Sequence, residues 1–434
     1  MEFAEFILAH DGDDLASLAL ARSRYADFAA FDVALSTLEV RRKLRSKVPS
    51  WYAVSLLRYP LRLSGEQCSS EETARYKASV ALGACSGRSV ADLTGGLGVD
   101  SWAFAQCFGS VLYNEMRPEL ASAAAENFKA LGLGNMTVRN CALVPGDARS
   151  EAGMTVRELL GEFKPDIIYM DPARRSEDGR KVFRLEDCQP DVLKLLPELL
   201  EACPLLLLKL SPMADISLVC KQLGCVEAVH VVAAGGECKE LLLLLRRNHQ
   251  GPYSIIIYES GAVAEVDQVQ PTFGRGLISG AGPGPGGKSG LGPKMGWTRS
   301  KTPIPAPASI PSAGDWLFEP GKALLKSGAF EWPCGFGLEK LGRHTHLYIG
   351  QGIPEELKPF GKTFRILEVL PLDKRSIKDI GARYPQASVT ARNIPLTSDE
   401  LRKKLGVKDG GTVHIFGVYA DAQKENMLLV CAGM

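Results

Sequence analysis

The chain has 434 residues, a length that favours roughly two to four domains over one compact unit. Hydrophobic residues make up 45% and charged residues 23%, which is near the globular average and excludes wholesale disorder. No apolar run is long enough to cross a bilayer, and the first residues lack the basic start of a signal peptide, so the expected location is cytoplasmic. The eleven cysteines include no Cys-x-x-Cys pair, so we expect reduced thiols and no metal site.

Positive charge is concentrated near both ends of the chain, although the formal net charge is only +1. Residues 41–62 contain seven Lys or Arg and no acid, interleaved with the aromatic residues Trp51, Tyr52 and Tyr59. Residues 362–434 contain twelve basic and eight acidic side chains. Stretches of this kind suit a polyanion, and a solvated helix face is the alternative for the first one. Polyanion contacts are predicted at three residues, Arg41, Arg42 and Arg45.

The first 260 residues indicate a helical region followed by an α/β sheet. Residues 1–82 carry apolar side chains at helical spacing and predict a small helical domain. From residue 83 to 260, short apolar runs alternate with amphipathic stretches, which predicts a mostly parallel, doubly wound sheet. The runs are 89–93, 111–114, 136–141, 166–170, 205–210, 226–232 and 241–245. Because only a Gly-Gly turn separates the last two runs, an antiparallel hairpin is expected at the sheet edge.

A Gly/Pro-rich linker is predicted at residues 261–313, because Gly, Pro, Ser and Lys dominate and acids are almost absent. Within it, residues 282–289 match the phosphate-binding loop pattern G-x-x-x-x-G-K-S. No strand precedes the match, and glycines and a proline follow it. A linker is therefore favoured over a nucleotide site.

Two small α/β modules are expected after the linker. Residues 314–361 predict a mixed unit, and residues 362–434 predict strand, helix, strand, helix and a final hairpin. His344 and His346 would share one face of a strand in the first module. Without a third ligand, two imidazoles are expected to pack rather than to bind a metal.

A glycine-rich turn with the sequence DLTGGLGVD follows the first apolar run. Asp92 stands at the strand end, and Gly96 and Gly98 allow the backbone to approach a ligand closely at a helix N-terminus. Glu115 ends the next run, where a carboxylate can accept hydrogen bonds from both ribose hydroxyls, and Asp147 could accept from an adenine amino group. A tight strand-to-helix connection is the alternative, but the ordered series of acids favours a nucleoside.

A dinucleotide would be another ligand of such a turn. Ser101 stands where the dinucleotide fingerprint requires its third glycine, so a pyrophosphate is disfavoured. A nucleoside cofactor other than a nicotinamide dinucleotide is therefore expected.

The fourth apolar run ends in Asp171-Pro172-Ala173-Arg174-Arg175. Ligands of open α/β sheets bind beyond the carboxyl ends of the strands. Asp171 and the rigid turn at Pro172 can therefore accept hydrogen bonds from an amine and orient its lone pair, while the two arginines could hold phosphate or stack on a base. An Asp-Pro turn cap is the structural alternative. We predict catalytic roles for Asp171, Pro172 and Arg174, and a substrate contact at Arg175.

Five segments together resemble the bacterial class I S-adenosylmethionine-dependent methyltransferases that carry a THUMP-like C-terminal domain. They are DLTGGLGVD, EQCSSE at 66–71, DPARR, KLSPM at 209–213 and GECKE at 236–240. The resemblance extends over nearly the whole chain except the linker. It implies an N-terminal helical domain, a Rossmann-like class I methyltransferase sheet, a ferredoxin-like module at 314–361 and a THUMP-like domain at 362–434. Class I methyltransferases also end their sheet in an antiparallel hairpin, as expected here.

The resemblance implies S-adenosylmethionine as the cofactor and RNA, either tRNA or rRNA, as the partner. Residues 66–70 would close over the cofactor, and Lys209 would contact the substrate. The implied cofactor contacts are Gln67, Ser69, Ser70, Asp92, Gly96, Gly98, Glu115 and Asp147.

Methyl transfer to a base nitrogen of RNA is the favoured function. Amino-directed nucleic-acid methyltransferases commonly carry an aromatic residue where Arg174 stands, which leaves the target atom open. RNA uracil C5 methyltransferases need a nucleophilic Cys where Ser211 and Pro212 stand, so covalent catalysis is disfavoured. The alternatives are a non-catalytic protein that binds S-adenosylmethionine and RNA, and a small-molecule methyltransferase.

Overall fold

The computed structural model describes residues 2–85, 87–146, 153–174, 184–266 and 310–433. The chain divides into two compact units, Met1–Ala234 with Lys239–Ser254, and Gly235–Cys238 with Ile255–Met434. Several predictions lie outside the described residues: Asp147, Arg175, the side chain of Arg174, most of the linker and its segment 282–289.

The first unit begins with helices, as the apolar spacing predicts. They are α1 (Phe3–Ala9), α2 (Leu15–Leu20), α3 (Phe31–Lys47), α4 (Pro49–Tyr52), α5 (Arg62–Gln67) and α6 (Glu71–Ala84), with a 3-10 turn at Arg22–Tyr25. Phe6, Phe31 and Leu38 pack in one apolar cluster that holds α1 against α3. These helices share one compact unit with the sheet that follows and do not form a unit of their own.

The sheet of the first unit alternates with helices. The strands of this region are β1 (Ser89–Asp92), β2 (Ser110–Asn114), β3 (Met136–Arg139), β4 (Ala142–Leu143), β5 (Gly153–Met154), β6 (Ile167–Met170), β7 (Ala173–Arg174), β8 (Cys188–Gln189), β9 (Leu205–Leu210), β10 (Val226–Ala234) and β11 (Glu237–Arg246). Outside the main sheet, β4 pairs with β5 and β7 pairs with β8. The helices of this region are α7 (Val99–Ala105), α8 (Pro118–Ala130), α9 (Val156–Leu160), α10 (Val192–Ala202) and α11 (Ile216–Leu223), with a 3-10 turn at Leu185–Asp187.

Seven of these strands lie in the order β10-β11-β9-β6-β1-β2-β3. The pairs β1–β2, β2–β3, β1–β6 and β6–β9 are parallel, whereas β11 runs antiparallel to β9. Each predicted apolar run is a strand, and the antiparallel return is confirmed. Because parallel strands point the same way, the residues that follow β1, β2, β6 and β9 meet at one edge of the sheet.

The second unit is built on a seven-stranded sheet, and β12 (Ser254–Glu259) and β13 (Ala262–Val266) form an antiparallel hairpin before it. The remaining elements are β14 (Trp316–Pro320), α12 (Lys322–Ser327), β15 (Glu339–Lys340), β16 (Tyr348–Gly350), β17 (Gly361–Pro371), α13 (Lys374–Arg383), β18 (Ser388–Arg392), α14 (Ser398–Leu405), β19 (Val413–Ala420) and β20 (Glu425–Gly433). Two 3-10 turns lie at Pro333–Phe336 and Lys358–Phe360.

The two predicted modules share this sheet, whose order is β15-β16-β14-β17-β20-β19-β18. Antiparallel pairing of β14 with β17 joins them, and Leu317 and Phe416 lie in one apolar cluster. The predicted order of elements after residue 362 is confirmed. His344 and His346, however, lie in the turn before β16, which corrects their placement on a strand, and His346 stacks on the ring of Phe330 at 3.8 Å between centroids.

Candidate functional site

Asp92 shapes the glycine-rich turn that follows β1. Its carboxylate accepts hydrogen bonds from the Thr94 N–H at 3.1 Å and from the Ser101 hydroxyl at 2.5 Å. The residue is 1% exposed, and burial raises the pKa of Asp92 to about 7. Because both oxygens bond to the turn itself, Asp92 positions the backbone of the turn, and its direct contact with a cofactor stays a prediction.

The glycines of this turn adopt backbone conformations that favour glycine, with φ of +53° at Gly96 and +94° at Gly98. A Cβ at Gly98 would lie 2.8 Å from the ring of Phe128, so packing excludes a side chain there. At Gly96 the nearest heavy atom to such a Cβ is the carbonyl oxygen of Thr94, at 4.0 Å. The Gly96 backbone therefore faces open space that a ligand can enter.

Glu115, which follows β2, is buried beside the same turn. Its carboxylate accepts the Gly96 N–H and the Arg117 N–H, each at 2.9 Å. The glycine-rich turn and Glu115, both predicted parts of a nucleoside site, are thereby brought together. Each carboxylate oxygen retains a second acceptor position, so Glu115 can still accept hydroxyl donors.

Asp171 follows β6, the neighbour of β1, and is hydrogen-bonded to the glycine-rich turn. Its backbone N–H donates to Thr94 Oγ1 at 2.6 Å. Lys209 Nζ donates to Asp171 Oδ2, also at 2.6 Å, and the Asp171 side chain is 34% exposed. This mostly buried ammonium group is paired with Asp171, and the predicted substrate contact of Lys209 stays a prediction.

A group of buried charges continues from Lys209 into the unit. Glu240 Oε2 lies 3.8 Å from Lys209 Nζ and 3.1 Å from the Nζ of Lys77, a residue of α6 that is 0% exposed. Lys77 Nζ also lies 3.0 Å from Asp100 Oδ1. The ion pairs thus connect α6, α7, β9 and β11 with the carboxylate of Asp171.

The charges of this group shift one another's pKa values. Burial would raise the pKa of Asp100, but Lys77 and Lys209 hold it below its usual value. Burial would lower the pKa of Lys209, but Asp171, Glu240 and Asp100 raise it. Burial raises the pKa of Glu240. Removal of one partner would leave opposite charges uncompensated in the interior, which is costly.

Lys77, Asp100, Tyr169 and Glu240 were not predicted as site residues. Asp100 Oδ2 accepts the Tyr169 hydroxyl at 2.9 Å, which joins a strand of the sheet to the buried group. One sequence signal could have identified the buried group, namely a single charge in or next to an apolar strand. Lys209 interrupts a leucine run, and Glu240 precedes another. Such a charge, if buried, requires a partner.

The serines of residues 66–70 have partners within the protein. Ser69 Oγ donates to Asp100 Oδ2 at 2.9 Å and accepts from Lys77 Nζ at 2.6 Å. Ser70 caps α6 by accepting the Thr73 N–H at 3.2 Å. Both serines thus have structural roles, and their predicted cofactor contacts stay predictions. Gln67 is exposed, and its contact stays a prediction.

Arg41, predicted to contact a polyanion, lies in the interior of the first unit. It is 5% exposed, its Nε donates to Asp11 Oδ1 at 3.2 Å, and its guanidinium lies 4.4 Å from the centre of the Tyr52 ring. Trp51 and Tyr59 are fully buried and stack on each other. These side chains are part of the core, which corrects the predicted surface role of Arg41 and of the two aromatic residues.

Most other basic side chains of residues 41–62 also have protein partners. Arg42 is exposed and donates to the carbonyl oxygens of Asp11 and Asp13, whereas Arg45 forms no ion pair with a described residue. The remaining partners are Glu39 and Glu66 for Lys43, the carbonyls of Gly65 and Glu66 for Lys47, Glu126 for Arg58, and Glu39 for Arg62. Of the three predicted contacts, Arg45 is the most available to a ligand.

Within the described ranges, no group of three or more His, Cys, Asp or Glu side chains could hold a metal ion. Among the helices that the structure describes, none combines the length and apolar character needed to cross a membrane.

Comparisons with known proteins agree with this architecture. A family model of a THUMP domain-like sequence matches residues 361–432, and a model of a ferredoxin-like domain matches residues 316–357. The crystal structure of a "putative methyltransferase" from Porphyromonas gingivalis W83 is 28% identical, covers 99% of this chain and 97% of that chain, and superposes with a TM-score of 0.77. No curated protein matches the sequence.

More distant solved structures include two proteins from Thermus thermophilus. TrmN is 17% identical, with 42% of this chain and 51% of that chain covered and a TM-score of 0.31. The 16S rRNA N2 G1207 methyltransferase RsmC, in complex with AdoMet and guanosine, is also 17% identical, with 40% and 43% covered and a TM-score of 0.29.

The sheet order, the antiparallel last strand and the likeness over the full length define a class I methyltransferase fold. The chain is similar to the Porphyromonas gingivalis structure over nearly all of its residues, and its modules at 316–357 and 361–432 match the ferredoxin-like and THUMP domain-like models, as its motifs indicated.

Proposed function

We propose that the chain is an S-adenosylmethionine-dependent methyltransferase that methylates a base nitrogen of RNA. The observation that carries the proposal is the hydrogen bond from the Asp171 N–H to Thr94 Oγ1. It joins a turn suited to a nucleoside with a partly exposed carboxylate, and both lie at the edge where α/β sheets bind ligands. The likeness to the Porphyromonas gingivalis protein supports methyl transfer as the reaction class.

The residues of the turn fit S-adenosylmethionine. The backbone at Gly96 faces open space, and Glu115 holds its carboxylate beside it with acceptor positions left for the two ribose hydroxyls. Asp92 keeps the turn in the conformation that exposes this backbone. When bound, the cofactor would supply an electrophilic methyl group on a sulfonium.

Asp171 is suited to orient the accepting nitrogen. Lys209 bonds to its Oδ2, and Oδ1 has no hydrogen-bond partner among the described residues. Oδ1 can therefore accept an N–H of the base and direct the nitrogen lone pair along the line of attack. Orientation of this kind lowers the entropic part of the barrier without proton transfer in the transition state. The pairing of Lys209 with Glu240 limits the movement of the Asp171 carboxylate.

RNA as the partner is supported by the THUMP-like domain, and the proposed location is the cytoplasm. The proposed RNA is a tRNA or an rRNA. Asp147 as an adenine contact, Arg174 and Arg175 as phosphate or base contacts, and Gln67 as a cofactor contact remain parts of this proposal.

Transfer of labelled methyl groups from S-adenosylmethionine to total RNA, extracted from a strain that lacks the gene, tests the reaction. Asp171→Ala should abolish transfer and leave binding of both ligands largely intact, because the lost interaction matters mainly in the transition state. Glu201→Ala, which removes an acid whose side chain is 73% exposed, is the matched control and should transfer normally. If wild-type protein binds both ligands but labels no RNA above the Asp171→Ala background, the non-catalytic alternative replaces this proposal.

Calorimetry with S-adenosylmethionine and with NAD tests the cofactor. Glu115→Ala should weaken binding of S-adenosylmethionine by about 1–3 kcal/mol, because the ribose hydroxyls lose their acceptor. Glu119→Ala removes an exposed carboxylate four residues further along, in α8, and should leave the affinity near that of the wild type. Tighter binding of NAD than of S-adenosylmethionine would overturn the cofactor assignment.

A further inference from the structure

A groove with a basic rim lies between α13 and α14 in the second unit. Its volume is about 540 Å³. Lys374, Lys378 and Lys404 line it and are exposed, and its apolar lining includes Ile377 and Leu405. A partner could therefore contact both the exposed lysines and the apolar side chains between them.

The lysines of the groove have no ion-pair partner among the described residues, while the acids around them are engaged. Asp373 caps α13 by accepting the Ser376 N–H at 2.7 Å. Asp379 pairs with Arg383 at 2.8 Å. Glu400 takes part in the capping box of α14, and Asp399 and Asp409 both pair with Arg402. The positive charge of the groove is therefore not neutralised by ion pairs within the unit.

The two helices that form the groove pack closely against each other. Lys374 and Lys378 are four residues apart in α13, so they stand on one face of the helix with their Cβ atoms about 6 Å apart. Gly381 permits the close approach of α14, since a Cβ there would lie 2.0 Å from the carbonyl oxygen of Leu405. Lys404 then supplies a third charge from the other side.

We propose that this groove binds the sugar-phosphate backbone of the RNA without reading its sequence, an inference that rests on the proposed function. A lysine ammonium is a compact point charge that suits phosphate. The side chains that line the groove include no Asn, Gln, Arg or aromatic residue with which to read base edges or stack on bases. The groove thus supplies affinity, and the choice of RNA must be made elsewhere on the protein.

The test measures binding of the full chain to fluorescently labelled bacterial tRNA, by anisotropy, over a series of KCl concentrations. Lys374→Glu, Lys378→Glu and Lys404→Glu combined should weaken binding and reduce the log–log salt slope by about 2, because each phosphate contact contributes roughly 0.7–0.9. The milder triple change to Gln should reduce the slope in the same direction. Equal unfolding midpoints would show that the variants remain folded.

The matched control reverses three exposed lysines of the first unit, Lys129, Lys164 and Lys221, and thus changes the net charge equally. Two stand in the last turns of α8 and α11 and the third precedes β6, so each lies before the start of a strand and not at the strand ends that form the candidate site. This control should lower the wild-type slope by no more than about 0.9, the contribution of one contact. A control variant as impaired as the groove variant would overturn the proposal.

Further outcomes separate the groove from the proposed function. If wild-type protein binds and methylates RNA but the groove variants keep the wild-type slope, the groove assignment fails and the function stands. If wild-type protein binds no RNA, both fail. If the groove variants lose binding to only one RNA among tRNA, rRNA fragments and homopolymers, sequence-independent binding is overturned. If the groove prefers polyglutamate to RNA, its partner is an acidic protein instead. An equal loss for all the RNAs supports the proposal.

Discussion

Two regions of the chain are rich in basic residues, and the structure uses them in opposite ways. In residues 41–62, six of the seven Lys and Arg side chains bond to acids or carbonyls of the protein, and most of those partners come from outside the stretch, as Asp11 and Glu126 do. In α13 and α14, Lys374, Lys378 and Lys404 form no ion pair with a described residue. Charge density in a sequence therefore does not measure the charge that is available to a partner.

A third set of cations lies inside the first unit. Lys77 and Lys209 are enclosed by Asp100, Glu240 and Asp171. Like the cations of residues 41–62, they form ion pairs within the protein. Because these pairs are buried, loss of one cation would leave an uncompensated carboxylate in the interior, which destabilises the fold. The same substitution should thus have very different effects on stability in the three places.

Lys77→Met should give the largest effect on stability. The change leaves Asp100 and Glu240 without their shared cation in the interior, and we expect the free energy of unfolding to fall by about 3–5 kcal/mol. Lys378→Met makes the same chemical change on the exposed rim of the groove and should alter stability by no more than about 0.5 kcal/mol. Denaturant unfolding followed by circular dichroism measures both. Similar losses in the two variants would contradict the distinction between internal and available charge.

Asp92→Asn should change how stability depends on pH. Burial raises the pKa of Asp92 from 3.8 to about 7, so its protonated form favours folding. That contribution is fully present below pH about 4 and is lost as the pH rises towards about 7, at a cost of roughly 2–4 kcal/mol. The asparagine side chain cannot ionise, so the free energy of unfolding of the variant should not show this part of the decline with rising pH. The measurement is the free energy of unfolding of both proteins across this pH window.

Asp27→Asn is the control for this pH dependence, because Asp27 is exposed. Its profile should follow that of the wild type. If Asp92→Asn also follows the wild type, Asp92 is ionised in the folded protein near neutrality and the account of the turn is wrong.

The sheet and the glycine-rich turn could be predicted from the sequence because their signals are local. A buried strand is a short apolar run, and a turn that admits a ligand needs glycine at fixed positions, here Gly96 and Gly98. The seven apolar runs and the hairpin could therefore be placed before the structure was known. For the same reason Glu115, at the end of one such run, could be assigned to the site.

The partners of charged residues could not be predicted in this way. Lys77 and Glu240 are separated by 163 residues, and Arg41 and Asp11 by 30, so no local pattern connects either pair. Whether a cation is free depends on which acid the fold brings next to it. This explains why Arg41 and Lys209 were predicted as ligand contacts, and why the buried group behind Asp171 was not predicted.

Arg45→Glu should give the smallest effect, a small change in the salt slope of RNA binding. Arg45 is exposed, and its nearest described aromatic contact, the Tyr52 ring, is 6.0 Å from its guanidinium carbon, so it is the cation of residues 41–62 best able to reach a phosphate. A single contact contributes at most about 0.9 to the salt slope of RNA binding, less than half the change expected for the three lysines of the groove. Arg41→Glu should instead destabilise the protein, because it places a second carboxylate next to Asp11 in the interior. Titration of labelled tRNA with each variant, beside the groove variants, ranks these effects. A slope change at Arg45 as large as that of the triple groove variant would mean that residues 41–62 carry the main RNA contacts despite their internal partners.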